Sequence, residues 1–377
     1  MDIANYTSGT FQKGFQYEYF LPSFINHSFE WNDAQLNELL EEASYQIGQL
    51  NAFAQLVPDA DMFIKMHVAK EATVSSHIEG TQTQLSEAFF RLEDIASERR
   101  DDWQEVRNYI DSMNFAIEKL NELPLSNHLL KQTHAILLDG VRGKHKLPGE
   151  FRSSQNWIGG ASLSDAVFIP PAHQLLDELM GDLELFLHNH DIKVPHLVKA
   201  AILHYQFETI HPFLDGNGRL GRLLIVLYLV EKKILEKPLL YISDFFDKNR
   251  ILYYDNLTRV RTHNNLRQWL LFFLVGVRDT AKKSSQVLQN IIQLKLKTTQ
   301  KIAHLNSKST KKIQLLEYLW SQPILQYSDV CEHLQVTAKT ANKLIVDFQN
   351  LGILVEVTQG QRNKIYAFQE YLNLFEA

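Results

Sequence analysis

The chain has 377 residues, 22% charged and 45% hydrophobic, the balance of a folded protein with room for two or three cores. Its 38 Lys and Arg against 44 Asp and Glu leave a net charge of −6, which argues against a surface dominated by nucleic-acid contacts. One cysteine (Cys331) excludes an internal disulfide, and no apolar run approaches the roughly 20 residues of a membrane span or opens the chain as a secretory signal, so a cytoplasmic protein without a membrane partner is expected.

A polar start leads to Phe20-Leu-Pro-Ser-Phe24, read as an extended lead-in, and then to a helix over 31–56 with Asn32 or Asp33 near its cap. Residues 60–79 read as an amphipathic helix, with Met62, Met66, Val68 and Ala69 among its apolar positions. This helix carries Ser75-Ser-His-Ile-Glu79-Gly80. Glycine at 80 suits a left-handed C-cap. Glu79 then falls in the last turn, where the helix dipole disfavours a carboxylate, so it needs a cationic partner or solvent. A long amphipathic stretch over 85–120 and a helix over 127–139 follow. The segment 148–171 holds two short β-like runs, 155–158 and 166–169, around a Gly/Ser/Asp turn, and reads as a hairpin. Helices over 172–189 and 194–209 complete the approach to the densest stretch of the chain.

That stretch is His211-Pro-Phe-Leu-Asp-Gly-Asn-Gly-Arg-Leu-Gly-Arg222. Pro212 blocks helix continuation, Gly216-Asn217-Gly218 opens a loop, and the apolar run to Val230 reads as a helix with Arg219 and Arg222 on its first turn. Glycines before a helix let backbone N–H groups converge on an anion, and the helix dipole adds positive potential. The two arginines, three apart, share a face and reach one anionic ligand. Asp215 suits Mg²⁺ beside phosphates. His211 titrates near neutral pH and suits a general base. Zinc ligation by His204, His211 and Asp215 would leave the glycine loop unexplained. Neither a G-x-x-x-x-G-K-[ST] nor a strand-borne G-x-G-x-x-G occurs.

The stretch resembles the Fic (filamentation induced by cAMP) motif, H-x-F-x-[DE]-G-N-G-R-x-x-R, at every defined position. The resemblance implies a protein adenylyltransferase that moves AMP from ATP to Ser, Thr or Tyr hydroxyls of target proteins and of itself. It implies that His211 deprotonates the hydroxyl and that Asp215 holds Mg²⁺. Gly216, Asn217 and Gly218 would cradle phosphate, Arg219 would neutralise it, and Arg222 would bind the γ-phosphate. ATP contacts are expected along the whole of Asp215–Arg222, Leu220 and Gly221 included. Glycine at 218 points to nucleotidyl transfer, since family kinases carry lysine there. Ser75 to Gly80 resembles the inhibitory helix of self-restrained members, in the class where that helix is N-terminal. Glu79 would pair with Arg222 in place of the γ-phosphate, and Ser75, on the same face, would steady the carboxylate. The hairpin resembles a target-aligning flap, with Val167, Phe168 and Ile169 lining the nucleotide pocket and the target docking by strand addition. By the same analogy Tyr253, in a helix over 249–261, lines the adenine pocket.

The chain ends in a separate pattern. Helices resume from 266 to about 302, and 304–310 is the expected linker. Helices over 311–321, 327–334 and 337–351, then strands over 352–357 and 364–368 around a turn at 358–363, resemble a winged helix. Its third helix would expose Lys339, Thr340, Asn342 and Lys343. Residues 309–377 hold six Lys or Arg against seven acids, so a protein contact is favoured over DNA. The expectation is a mainly α protein. An N-terminal helical region (1–105) carries the inhibitory helix, a Fic-fold helical core with a β-hairpin flap spans 106–290, and a winged-helix domain spans 303–377. Homodimers are expected. A non-catalytic ATP-sensing regulator and a hydrolase removing AMP remain as alternatives.

Overall fold

The computed structural model describes residues 2–14, 16–56, 60–140, 145–303, 310–358 and 364–376, without the side chains of 60–62. The Met62 side chain, residues 304–309 of the expected linker and 359–363 of the expected turn lie outside the described residues.

After a single 3-10 turn at Ile3–Asn5 comes a hairpin that sequence patterning does not announce. β1 (Gly9–Lys13) pairs antiparallel with β2 (Glu18–Pro22), Thr10 opposite Leu21. No Asn-Gly or Asp-Gly turn marks it. Its second support is tertiary: Phe20 N–H donates to Ile169 O at 2.9 Å, which joins β2 to the segment read as a flap.

α1 (Ala34–Leu56) starts where Asp33 Oδ1 accepts the Leu36 N–H at 3.0 Å, a side-chain N-cap. It buries one stripe, Leu36, Leu39, Ala43, Ile47, Leu50 and Ala54. Each full-length aliphatic there stabilises by about 1.5–3 kcal/mol. α2 (Ala60–Ile78) stops at Gly80, whose φ of 109° a side chain would resist. The long helix expected over 85–120 is shorter. Single turns at 86–89, 92–94 and 97–99 precede α3 (Arg100–Lys119). The reason is competition for backbone groups. Glu87 Oε2 accepts the Gln84 N–H at 2.7 Å, Trp103 Nε1 donates to Glu87 O at 2.8 Å, and Arg99 pairs with the Glu87 carboxylate at 2.6 Å.

α4 (Asn127–Leu137) and α5 (Leu176–His188) flank the centre. The centre is α6 (His196–Ile210), buried at every residue from Leu197 to Ile210, packed on α7 (Asn217–Glu231), buried from Arg219 to Leu229. A helix buried on all sides belongs in a core. α8 (Ser243–Lys248) and α9 (Arg250–His263) lead to α10 (Leu266–Ala303), which runs unbroken along α1. Trp269 Nε1 of α10 donates to Ala201 O of α6 at 2.8 Å.

Beyond α10 lie α11 (Thr310–Ser321), β3 (Ile324–Gln326), α12 (Tyr327–Leu334), α13 (Ala338–Asn350), β4 (Val355–Glu356), β5 (Ile365–Ala367) and α14 (Gln369–Glu376). The antiparallel sheet has order β3-β5-β4. β3 and α14 were not foreseen: a three-residue strand has no readable period. α13 buries Ala341, Leu344, Ile345 and Phe348 and exposes Lys339, Thr340, Asn342 and Lys343. This unit stands on α2, with the Phe63 ring 5.6 Å from Trp320 and 6.4 Å from Tyr371.

Candidate active site

The loop joining α6 to α7 is shaped at both ends. His211 closes α6 in the left-handed region (φ 50°), its N–H donating to Phe207 O at 2.9 Å, and Gly216 (φ 74°) opens α7. A non-glycine residue held there costs on the order of 1–3 kcal/mol, so the surroundings must impose it. Arg152, 2% exposed, donates from Nε to His211 O at 3.0 Å and from Nη2 to Pro171 O at 2.6 Å, with burial lowering its guanidinium to about 10. Asn156 Nδ2 donates to Phe213 O at 2.9 Å. Asn217 spends its whole amide on Phe213: Oδ1 accepts the N–H at 2.9 Å and Nδ2 donates to the carbonyl at 2.8 Å. Its side chain therefore shapes the loop. The groups open to an anion are the first-turn amides of α7, which lack intrahelical acceptors. The His134 ring stacks on Phe213 at 3.8 Å. Its Nδ1 accepts the Gly149 N–H at 2.9 Å, so Nε2 carries the proton and donates to Asp215 O at 2.9 Å.

Electrostatics suit His211 to accept a proton. Its Nδ1 lies 3.3 Å from Glu208 O, and a carbonyl only accepts. The ring proton therefore sits on Nδ1 and the Nε2 lone pair is free. Burial holds its pKa down to about 4, so the ring is neutral at pH 7. Glu208 is itself buried, and burial raises it to about 7. Its Oε1 presses on α7 so closely that a Cβ at Gly221 would stand 2.3 Å from it.

The arginines meet different acids. Arg219, 4% exposed, pairs through Nη1 with Glu105 Oε2 at 3.0 Å, and its Nη2 lies 3.9 Å from Asp215 Oδ1. Asp215 is 47% exposed and opens on a cavity of about 410 Å³ bordered by Arg100, Gln104, Glu105, Asn108 and Arg219. Arg222, 1% exposed, donates from Nη2 to Glu79 Oε1 at 2.7 Å and to Ser75 O at 2.8 Å, and from Nε to Ser75 Oγ at 2.8 Å. Ser75 thus holds the arginine and not, as expected, the carboxylate. Burial alone would raise Glu79, but the Arg222 charge and hydrogen bond outweigh it and hold the carboxyl below its ordinary range. That carboxylate covers the start of α7: a Cβ at Gly218 would stand 2.3 Å from Glu79 Oε1.

The remaining expected residues lie less directly on the site. The hairpin over 155–169 reduces to one antiparallel bridge, Ile158 with Phe168, the two N–H···O bonds at 2.8 and 3.1 Å. Asp165 closes its turn by accepting from Ala161 and Ser162 N–H, which leaves few residues for a ladder. Val167 is 80% exposed, whereas Phe168 is 8% exposed beneath the Arg261 guanidinium at 3.9 Å, and Ile169 serves β2 through its carbonyl. Leu220 is in the core. Gly221 offers its carbonyl to His204 Nδ1 at 2.9 Å. Tyr253 is corrected from pocket to core. It is 1% exposed, its hydroxyl meets His204 Nε2 at 2.9 Å, and its ring stacks on Phe246 at 4.4 Å. The neighbouring Tyr254 is 42% exposed and feels both Glu79 and Arg222.

Sequence reasoning missed Arg152, Asn156 and His134, which hold the loop by its backbone, and Glu105 and Glu208, whose carboxylates lie against Arg219 and α7. It also missed Glu71, for which a signal existed: 71, 75 and 79 fall at i, i+4 and i+8 on one helix stripe. Glu71 is 2% exposed, accepts from Ser243 Oγ and lies 3.4 Å from the Tyr109 hydroxyl, with burial raising it to about 7.

Residues 37–118 match the Fic/DOC family N-terminal region, and residues 124–229 match the Fic/DOC family domain. The chain belongs to the Fic/DOC family. The first match holds Ser75–Gly80, and the Fic/DOC domain holds His211–Arg222. A protein of Aedes aegypti named protein adenylyltransferase Fic is 30% identical over 207 residues, 51% of this chain and 39% of that one. The Drosophila erecta protein of the same name is 44% identical over 78 residues, 20% of this chain and 14% of that one. The chain thus spans well under half the length of these Fic relatives. A solved Fic family protein from Desulfovibrio desulfuricans G20 has the same fold, with a TM-score of 0.57 at 21% identity over 89% of this chain and 96% of that one. Among the described residues no helix is long and apolar enough to cross a membrane.

Proposed function

We propose that this chain transfers AMP from ATP to hydroxyl groups of proteins, and that Glu79 restrains the reaction. One observation carries this reading: the Glu79 carboxylate lies over Gly218 in the first turn of α7, on the guanidinium of Arg222. A carboxylate in that place stands where a nucleotide phosphate would be received, on a helix N-terminus beside a buried arginine. The names of the curated relatives support adenylyl transfer over other phosphate chemistry.

The residues divide the work as follows. His211 Nε2 takes the proton of the attacking hydroxyl. The hydroxyl oxygen bonds to the α-phosphorus, and the bond to the leaving diphosphate breaks. Arg219, Arg222 and the first amides of α7 receive the charge that develops on the leaving group. Asp215, half-exposed at the mouth of a cavity, is a single carboxylate of the kind that holds Mg²⁺ together with phosphate oxygens. An ion held by Asp215 would neutralise diphosphate charge. Val167, 80% exposed beside the Ile158–Phe168 bridge, is where an extended target segment would dock.

Glu79→Gly protein incubated with Mg²⁺ and ATP labelled in turn on the α- and γ-phosphate tests the reaction class. Protein-bound label is expected from α only, and not after His211→Ala. Label from γ would replace adenylyl transfer by phosphoryl transfer. Absence of label with every lysate target would leave a nucleotide sensor.

A further inference from the structure

Three lysines converge on one carboxylate where the proposed reaction makes no use of them. Lys70 of α2, Lys248 of α8 and Lys283 of α10 place Nζ 3.7, 3.1 and 3.1 Å from the Asp244 carboxylate. They border a cavity of about 190 Å³ walled by His67, Tyr241, Phe245, Val287 and Phe375. The neighbouring acids have other partners: Asp279 pairs with Arg278 at 2.8 Å and Asp247 with His77 at 3.0 Å. Like charges held this close repel, and a second anion would relieve them. Burial and the adjoining Lys248 ammonium push Lys283 below its ordinary range.

A second observation is independent of the lysines. Two polar atoms of cavity residues, His67 Nε2 and the Tyr241 hydroxyl, are buried without a hydrogen-bond partner among the described residues. Their side chains belong to residues 5% and 6% exposed. Buried polar groups are rarely left so, and both belong to side chains of the cavity wall. The remaining wall is apolar, and the space is small beside the roughly 300–1,000 Å³ of most ligand pockets.

We propose that this cavity binds a small phosphate-bearing molecule, its oxyanion held by Lys70, Lys248 and Lys283 and its apolar body seated against Phe245, Val287 and Phe375. His67 and Lys70 belong to α2, the helix that presents Glu79. The end of α2 is already tied down by His77 to Asp247 and by Arg250 donating to Ile78 O. A ligand bridging α2 to α8 and α10 adds a third tie and holds Glu79 on Arg222. This consequence rests on the proposed restraint, whereas the binding does not.

Calorimetry on the full chain with phenyl phosphate as probe tests the site without any transferase readout. Arg222→Ala is expected to retain binding, weakened only by the lost coupling to α2. The Lys248→Gln/Lys283→Gln variant should bind at least tenfold more weakly at an unchanged melting temperature. Thr280→Phe, which narrows the cavity and keeps its charges, should also lose binding. Hydrogen exchange of amides 70–79 should slow on adding the probe to wild type and not to the double variant. No binding at millimolar probe overturns the proposal, as does binding that survives in the double variant or is lost in Arg222→Ala. Benzoate binding as tightly as phenyl phosphate overturns the assignment of phosphate. Unchanged exchange overturns the coupling to α2.

Discussion

Replacing Glu79 by glycine should raise the affinity for ATP about 5- to 150-fold. The magnitude follows from the ion pair. Removing one partner of a fully buried pair costs roughly 3–5 kcal/mol. Arg222 is 1% exposed but Glu79 is 35% exposed, so solvent screens the interaction and about 1–3 kcal/mol remains. An incoming phosphate must displace the carboxylate from Arg222 and from the start of α7, so this cost is subtracted from ATP binding in the wild type. At about 1.4 kcal/mol per decade it corresponds to the stated range. Isothermal titration with ATP and Mg²⁺ measures it directly. Glu79→Gln keeps the volume and loses the charge, and should recover most of the gain. Equal affinity in wild type and Glu79→Gly would refute the displacement argument. A gain in Glu79→Gly without one in Glu79→Gln would trace the effect to the freed helix end.

Four further outcomes follow from the site. In the Glu79→Gly background, His211→Ala should abolish AMP incorporation while leaving ATP affinity within about twofold; residual transfer above a hundredth would assign the base elsewhere. Because burial holds His211 down to about 4, kcat/KM of Glu79→Gly should be flat from pH 6 to 9 on the base side; a break near 6.5 would contradict a desolvated ring. Ser75→Ala removes a hydroxyl that accepts from Arg222, an interaction of about 1 kcal/mol, so labelling should fall between wild type and Glu79→Gly. Glu71 is raised to about 7 in the folded chain. Its contribution to stability is therefore present below the ordinary carboxylate range and lost as pH rises towards 7. Glu71→Gln cannot ionise, so its stability relative to wild type in urea should improve from pH 5 to pH 8; the opposite trend would mean the acid is ionised in the fold.

What was legible depended on how local the cause was. The glycine loop, the helix after it and the arginine spacing lie within one short stretch, so local chemistry sufficed. The α2 end and Gly80 were legible for the same reason. The partner of Glu79 was named only through resemblance to a family, because Arg222 lies 143 residues away. Tyr253 and Tyr254 show the limit. Adjacent helix positions differ by about 100° in direction, and only Phe246 and His204 decide which ring is enclosed. β1, β2 and the flap fared worst, since each short run of backbone is held by another that the sequence places far off.

By itself the sequence determined the helical class, the glycine loop that can receive an anion and the two arginines on the helix after it. Those follow from residue type and spacing along one chain. Only the tertiary structure decided which charges meet and which are cut off from water. Desolvation of His211, the approach of Glu79 to Gly218 and the hold of Arg152 on the His211 carbonyl are distances between separate elements. Coulomb energy and burial depend on those distances, and no run of adjacent residues contains them.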